Sequence, residues 1–149
     1  MTLNRSVPAN ILLPHVFYED VAAALHWLSN AFGFAEYHRF GLPDGEGLHG
    51  AMIRRGEAWV MLKSPGSSAT SPSKLGGSSQ QLMIFVEELE EHYRAALAAG
   101  VHIAEELHVT EYGEQQYVAL DLEGHTWIFA RHARDVAPEE WGAVTAGRI

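Results

Sequence analysis

Two periods of apolar and polar residues alternate along this chain, and their order repeats. Residues 11–18, ILLPHVFY, are rich in apolar and aromatic types and predict a strand. Pro14 has no amide hydrogen for a ladder, which places that strand at a sheet edge. Asp20 follows as a helix N-cap. Beyond it Val21, Ala24, Leu25, Leu28 and Phe32 recur at helical spacing, and Gly33 supplies the stop. Three further strand-like runs occupy residues 35–40, 48–55 and 58–63, separated by the turns LPDGEG and RGE.

The same plan returns in the second half. Residues 82–86 predict a strand, Leu89, Tyr93, Ala96 and Leu97 the buried face of a helix, and Gly100 its end. Strands are then expected over 102–110, 116–121 and 126–131, with turns at EYGE and DLEGH. Val16 corresponds to Ile84 and Gly33 to Gly100, so the spacing between halves is constant to within one residue. Each half therefore reads βαβββ. A unit of that size has little core of its own, so the two are expected to pair. The expected organisation is one domain over 1–149: a first module at 10–64, a linker at 65–79, a second module at 80–132 and a tail at 133–149. The linker stretch SPGSSATSPSKLGGSSQ predicts a flexible connector by composition, and the tail a short helix begun at Pro138.

Charge and composition narrow the functions. Nineteen acidic against ten basic residues give a formal charge of −9, which argues against a nucleic-acid partner, because phosphate binding needs clustered Lys and Arg. The same charge would draw a cationic ligand at long range. There is no cysteine, which excludes disulfides, thiol catalysis and thiolate metal sites and suits a cytoplasmic location. No apolar run reaches the roughly 20 residues of a membrane span. Serine elbows, H-E-x-x-H and phosphate-binding loops are absent. Asp44 and Glu46 in LPDGEG read as a hairpin loop rather than an acid–base pair.

The segments HVFYEDVAAALHWLSNAFGF, GEAWVML and YGEQQYVALDLEGHTWIFARH carry a resemblance to the vicinal oxygen chelate superfamily, which includes glyoxalase I, extradiol dioxygenases and bleomycin-resistance proteins. The resemblance implies an α+β fold in which two βαβββ modules form a curved mixed sheet around a cleft, with the helices outside. It puts Trp127 and Phe129 under a helix and Thr126, Ile128 and Ala130 on the cavity side. His125, in the turn, is expected to be structural. Relatives often show Y-G-x-R where this chain has Gln115 in the arginine position.

Metal-dependent relatives carry His or Glu ligands on the first and last strands of each module. The resemblance places those positions at Leu13, Met61, Gln81 and Ile128, none of which suits a hard divalent ion. His15, His49 and His102 are the histidines from which another set could be drawn. No cofactor is expected, and the cavity is expected to be lined by His15, Phe17, Trp59, Met61, Met83, Phe85 and Ile128, with Lys63 nearby. The expected function is metal-free binding of an aromatic or cationic small molecule by sequestration, in a homodimer. Two alternatives stand beside it: a metal-dependent glyoxalase-like lyase or ring-cleaving dioxygenase, and a non-catalytic dimeric interaction module.

Overall fold

The computed structural model describes residues 2–9, 11–41 and 47–147, so Asp44 and Glu46 lie outside the described residues. The elements run β1 (His15–Phe17), α1 (Val21–Phe32), β2 (Ala35–Gly41), β3 (Leu48–Arg55), β4 (Ala58–Lys63), α2 (Pro72–Leu75), β5 (Gln81–Phe85), α3 (Leu89–Ala98), β6 (His102–Val109), β7 (Glu114–Leu120) and β8 (Thr126–His132). A 3-10 helix, Pro138–Trp141, closes the tail at the expected proline. Each half is βαβββ and builds its own four-stranded mixed sheet, in the orders β1-β4-β3-β2 and β5-β8-β7-β6. This is the α+β arrangement the repeat predicts. The chain divides into two compact units, Met1–Ser78 with Leu122–Gly124, and Ser79–Asp121 with His125–Ile149.

In the first unit β1 is an edge strand and pairs parallel with β4. It is shorter than the apolar run suggested. Pro14 contributes only its carbonyl, which accepts the Met61 N–H, and Ile11 and Leu12 stay exposed ahead of it. Asp20 caps α1 by accepting the Ala23 N–H, and Gly33 ends the helix at φ 77°, a conformation that favours glycine. The helix buries Val21, Ala24, Leu25, Leu28, Ala31 and Phe32, and packs on β3 and β4 over Val16, Ala51, Ile53, Val60 and Leu62. A bulge between Glu36 and His38 lets two consecutive side chains hold the N-terminal segment. The Tyr37 hydroxyl donates to the Arg5 carbonyl at 2.7 Å, and His38 Nε2 to that of Ser6 at 2.9 Å.

The connector departs from the expectation of a plain flexible linker. Ser71 caps α2 and is fully buried together with Pro72, while Lys74 pairs with Glu19 at 2.9 Å. The Lys74 ammonium, then the Ser71 hydroxyl, hold the Glu19 carboxyl below its ordinary pKa. A carboxylate with a depressed folded pKa contributes its stability above the unfolded value and loses it as pH falls through the folded one. The amide resonances of Ser71 and Lys74 are therefore expected to be constant from neutral pH upward and to move only in acid. Movement near neutral pH would disprove the tie. Glu123, grouped with this unit, accepts the N–H groups of Glu19 (2.7 Å) and Asp20 (3.0 Å).

In the second unit α3 covers Leu82, Ile84, Trp127, Phe129 and Tyr117. Its buried stripe runs through Leu89, His92 and Ala96, whereas Tyr93 is half-buried and Leu97 is exposed. Histidine can take the core position because its Nδ1 shares a 2.6 Å hydrogen bond with the Tyr117 hydroxyl, and its ring lies 4.3 Å from that of Phe129. The D-x-E-G-H turn is closed by its own side chain. Asp121 Oδ1 accepts the His125 N–H at 3.0 Å and Oδ2 accepts Trp127 Nε1–H at 2.9 Å. Among the described residues, no helix is long and apolar enough to cross a membrane.

Candidate functional site

The residues expected to line a cavity fall on the sheet face opposite the helix in each unit. In the first unit one rung runs His15–Met61–Met52–His38 across the four strands, and the next runs Phe17–Lys63–Gly50–Phe40. Trp59 stands beside them. The Arg54 guanidinium lies 5.3 Å over its ring, and Tyr37 meets it edge-on at 5.1 Å. The Phe40 ring crosses Gly50, where a Cβ would stand 2.4 Å from Phe40 Cζ. Glycine thus makes room for an aromatic surface.

The second unit repeats the arrangement with other side chains. Met83–Ile128–Val118 forms one rung and Phe85–Ala130–Gln116 the next. The pairing of His15 with Met61 corresponds to that of Met83 with Ile128, and Phe17–Lys63 corresponds to Phe85–Ala130. The structural repeat therefore extends to side-chain register. Met83 and Phe85 are 40% and 53% exposed, unusual for large apolar groups on a sheet face. His15, Phe17, Trp59 and Met61 thus cluster in the first unit, and Met83, Phe85 and Ile128 in the second.

The four positions at which the sequence resemblance expects metal ligands lie in or just before these same strands. Leu13 precedes β1, Met61 lies beside His15, Gln81 faces Thr126 and Ile128 lies beside Met83. Hydrocarbon, thioether and amide side chains do not make a site for a hard divalent ion. Among the described residues, no three His, Asp or Glu side chains gather to hold a metal. His15 and His49 stand on opposite faces of their sheet by strand alternation, and His102 belongs to the other unit, so these three form no set within a unit. The residues present do not fit the metal of the catalytic relatives.

Two features were not visible in the residue pattern. Gln115, in the position where relatives often carry arginine, accepts at Oε1 from Arg131 across the β7–β8 rung at 2.9 Å, so Arg131 brings a guanidinium to that end of the sheet. On the opposite face His132 Nδ1 donates to Glu114 Oε1 at 2.6 Å, and the His132 ring packs 4.8 Å from Phe85. The parity of Ile128, Ala130 and His132 was the available signal for the second feature. Its partner could be found only from the pairing of Glu114 with His132.

Comparison with known proteins agrees with this architecture. The family model for the Glyoxalase/Bleomycin resistance protein/Dioxygenase superfamily matches residues 10–129. TioX from Micromonospora sp. ML1 is 30% identical, covering 86% of this chain and 100% of its own, with a TM-score of 0.67. An uncharacterized protein of Mycobacterium bovis is 29% identical over 134 residues, 87% of this chain and 88% of its own. A superfamily member from Sphaerobacter thermophilus is 16% identical with a TM-score of 0.67, covering 83% of this chain and 97% of its own, a likeness of fold alone. On the match across residues 10–129, this chain belongs to the glyoxalase/bleomycin resistance protein/dioxygenase superfamily.

Proposed function

We propose that this protein binds a small organic molecule, aromatic or cationic, and holds it without transforming it or using a metal. The observation that carries the reading is the pair of equivalent rungs, His15–Met61 and Met83–Ile128, in which Met61 and Ile128, two of the positions where the resemblance expects metal ligands, carry apolar side chains. Beside them Phe17, Trp59 and Phe85 offer ring faces for stacking, and His15 offers a polar contact. In this reading the net charge of −9 raises the local concentration of a cation, an effect that salt weakens. The protein acts as a homodimer in the cytoplasm. The exposed Ile11 and Leu12 supply apolar surface for association, and the lack of cysteine suits a reducing compartment.

Elemental analysis after incubation with Zn, Ni, Mn and Fe(II), followed by gel filtration, is expected to find no retained metal. Proflavine, a flat cationic dye, is expected to raise the melting temperature with dye excess, as a ligand of the folded state must. His15→Ala combined with Phe17→Ala, both on the first unit's open face, should weaken that binding at least about tenfold, the loss of some 1.4 kcal/mol of contact. One tightly held metal per chain, with activity lost to chelators, would replace this reading by a glyoxalase-like lyase or dioxygenase. An unchanged melting temperature would instead favour a dimeric interaction module.

A further inference from the structure

The end of the second unit's open face is a corner built by a close backbone crossing. The Gly113 carbonyl accepts the N–H groups of Ala133 (2.8 Å) and Arg134 (3.1 Å). Gly113 has φ 95°, and a Cβ there would stand 2.3 Å from the Arg134 carbonyl oxygen. The tail after β8 therefore crosses the turn before β7 at a distance that glycine permits. The crossing leaves a hollow of about 420 Å³ bounded by Tyr112, Glu114, His132, Arg134, Asp135 and Val136.

Glu114 sets the chemistry of that hollow. Its Oε1 is taken by His132, but its Oε2 is buried and has no hydrogen-bond partner. A carboxylate accepts through both oxygens, and leaving one without donors in a desolvated place is unfavourable. Arg134 lines the same hollow, yet forms no ion pair with Glu114 or Asp135 among the described residues. The rings of Tyr112 and His132 line the same hollow. Tyr112 packs 5.5 Å from Trp141 and directs its hydroxyl to Gln116 Oε1, while His132 packs on Phe85. The carboxylate supplies a counter-charge in the hollow, and a ring face beside it attracts an organic cation without a directed hydrogen bond.

We propose that this corner binds the quaternary ammonium group of an organic ligand, with Glu114 as counter-ion and Tyr112 as ring contact. The proposal rests on the reading of the adjoining open face as a ligand surface, and names the charge of the group at its end. Choline and its neutral isostere 3,3-dimethylbutan-1-ol, titrated into the whole protein and followed by amide NMR, separate charge from shape. Choline is expected to shift the amides of Gly113, Glu114 and Arg134 and the Trp141 indole saturably. The isostere, and choline with Glu114→Gln, should bind at least tenfold more weakly. Tyr112→Leu, at a half-exposed position, provides a second variant with the same expected direction should Glu114→Gln fail to fold. Equal shifts from both probes, or choline binding unchanged in the variants, would overturn the site. Proflavine shifts at Met83 and Ile128 without any choline effect would overturn the corner alone, and silence from both probes would overturn the face as well.

Discussion

Replacing Trp127 by alanine is expected to remove about 3–5 kcal/mol of folding stability, the range for deleting a large buried aromatic side chain. Trp127 is fully buried and stacks on Phe129 at 6.3 Å with the rings 7° from parallel. Phe129 in turn touches His92 of α3 and Tyr117 of β7, so the cavity would open in the middle of the layer that joins helix to sheet. The indole also donates to Asp121, whose other oxygen accepts the His125 N–H. Trp127→Phe separates the two contributions: it keeps most of the ring and removes the donor, with an expected loss of about 1–3 kcal/mol. Urea unfolding followed by circular dichroism measures both. A loss below about 1 kcal/mol for the alanine variant would contradict a packed aromatic core.

Gly113→Ala is expected to cost about 2–4 kcal/mol, because it imposes a left-handed backbone strain together with a backbone clash. The obstructing atom is the Arg134 carbonyl oxygen, which cannot rotate away as a side chain would. Relief requires the tail to lift, with loss of the hydrogen bonds from Ala133 and Arg134 to the Gly113 carbonyl. Differential scanning calorimetry should show the melting temperature falling by about 5–15 °C, at the 2–4 °C per kcal/mol typical of chains this size. Gly124→Ala is an informative comparison. It has the same φ of 95°, but its added Cβ would meet only the Pro72 Cβ at 3.4 Å, so a smaller loss is expected. Similar losses at the two positions would show that strain alone, and not the crossing, governs Gly113. Because the crossing forms the corner around Glu114, Gly113→Ala should also abolish the choline response.

Much of the architecture was legible because it depends on neighbours in sequence. The stripe Val21, Ala24, Leu25, Leu28 and Phe32 is buried as its helical spacing required, between the two caps at Asp20 and Gly33. The runs at 48–55 and 58–63 became β3 and β4 with the expected ends. Local alternation was less informative where something distant supplies a partner. The apolar run at 11–18 yielded only a three-residue strand, since pairing begins where Pro14 gives its carbonyl to β4. The polar connector hid a buried Ser71, whose burial depends on a cap to Lys74 and on the Glu19 carboxylate. His92 entered the α3 core in place of Leu97, because Tyr117, far along the chain, supplies its hydrogen bond.

The candidate site divides along the same line. The sequence by itself determined the repeat and the side-chain faces of the strands, and it leaves Leu13, Met61, Gln81 and Ile128 as the positions where the resemblance expects ligands. A period of two or 3.6 residues is a property of the backbone and is written into any single segment. Only the tertiary structure decided which residues share a rung: His15 with Met61, Met83 with Ile128, Glu114 with His132. It also decided that the tail would cross Gly113 closely enough to enclose a carboxylate. Register and crossing are chosen by burial and hydrogen-bond satisfaction over the whole chain, and a shift of one residue in either would turn these side chains to the other face.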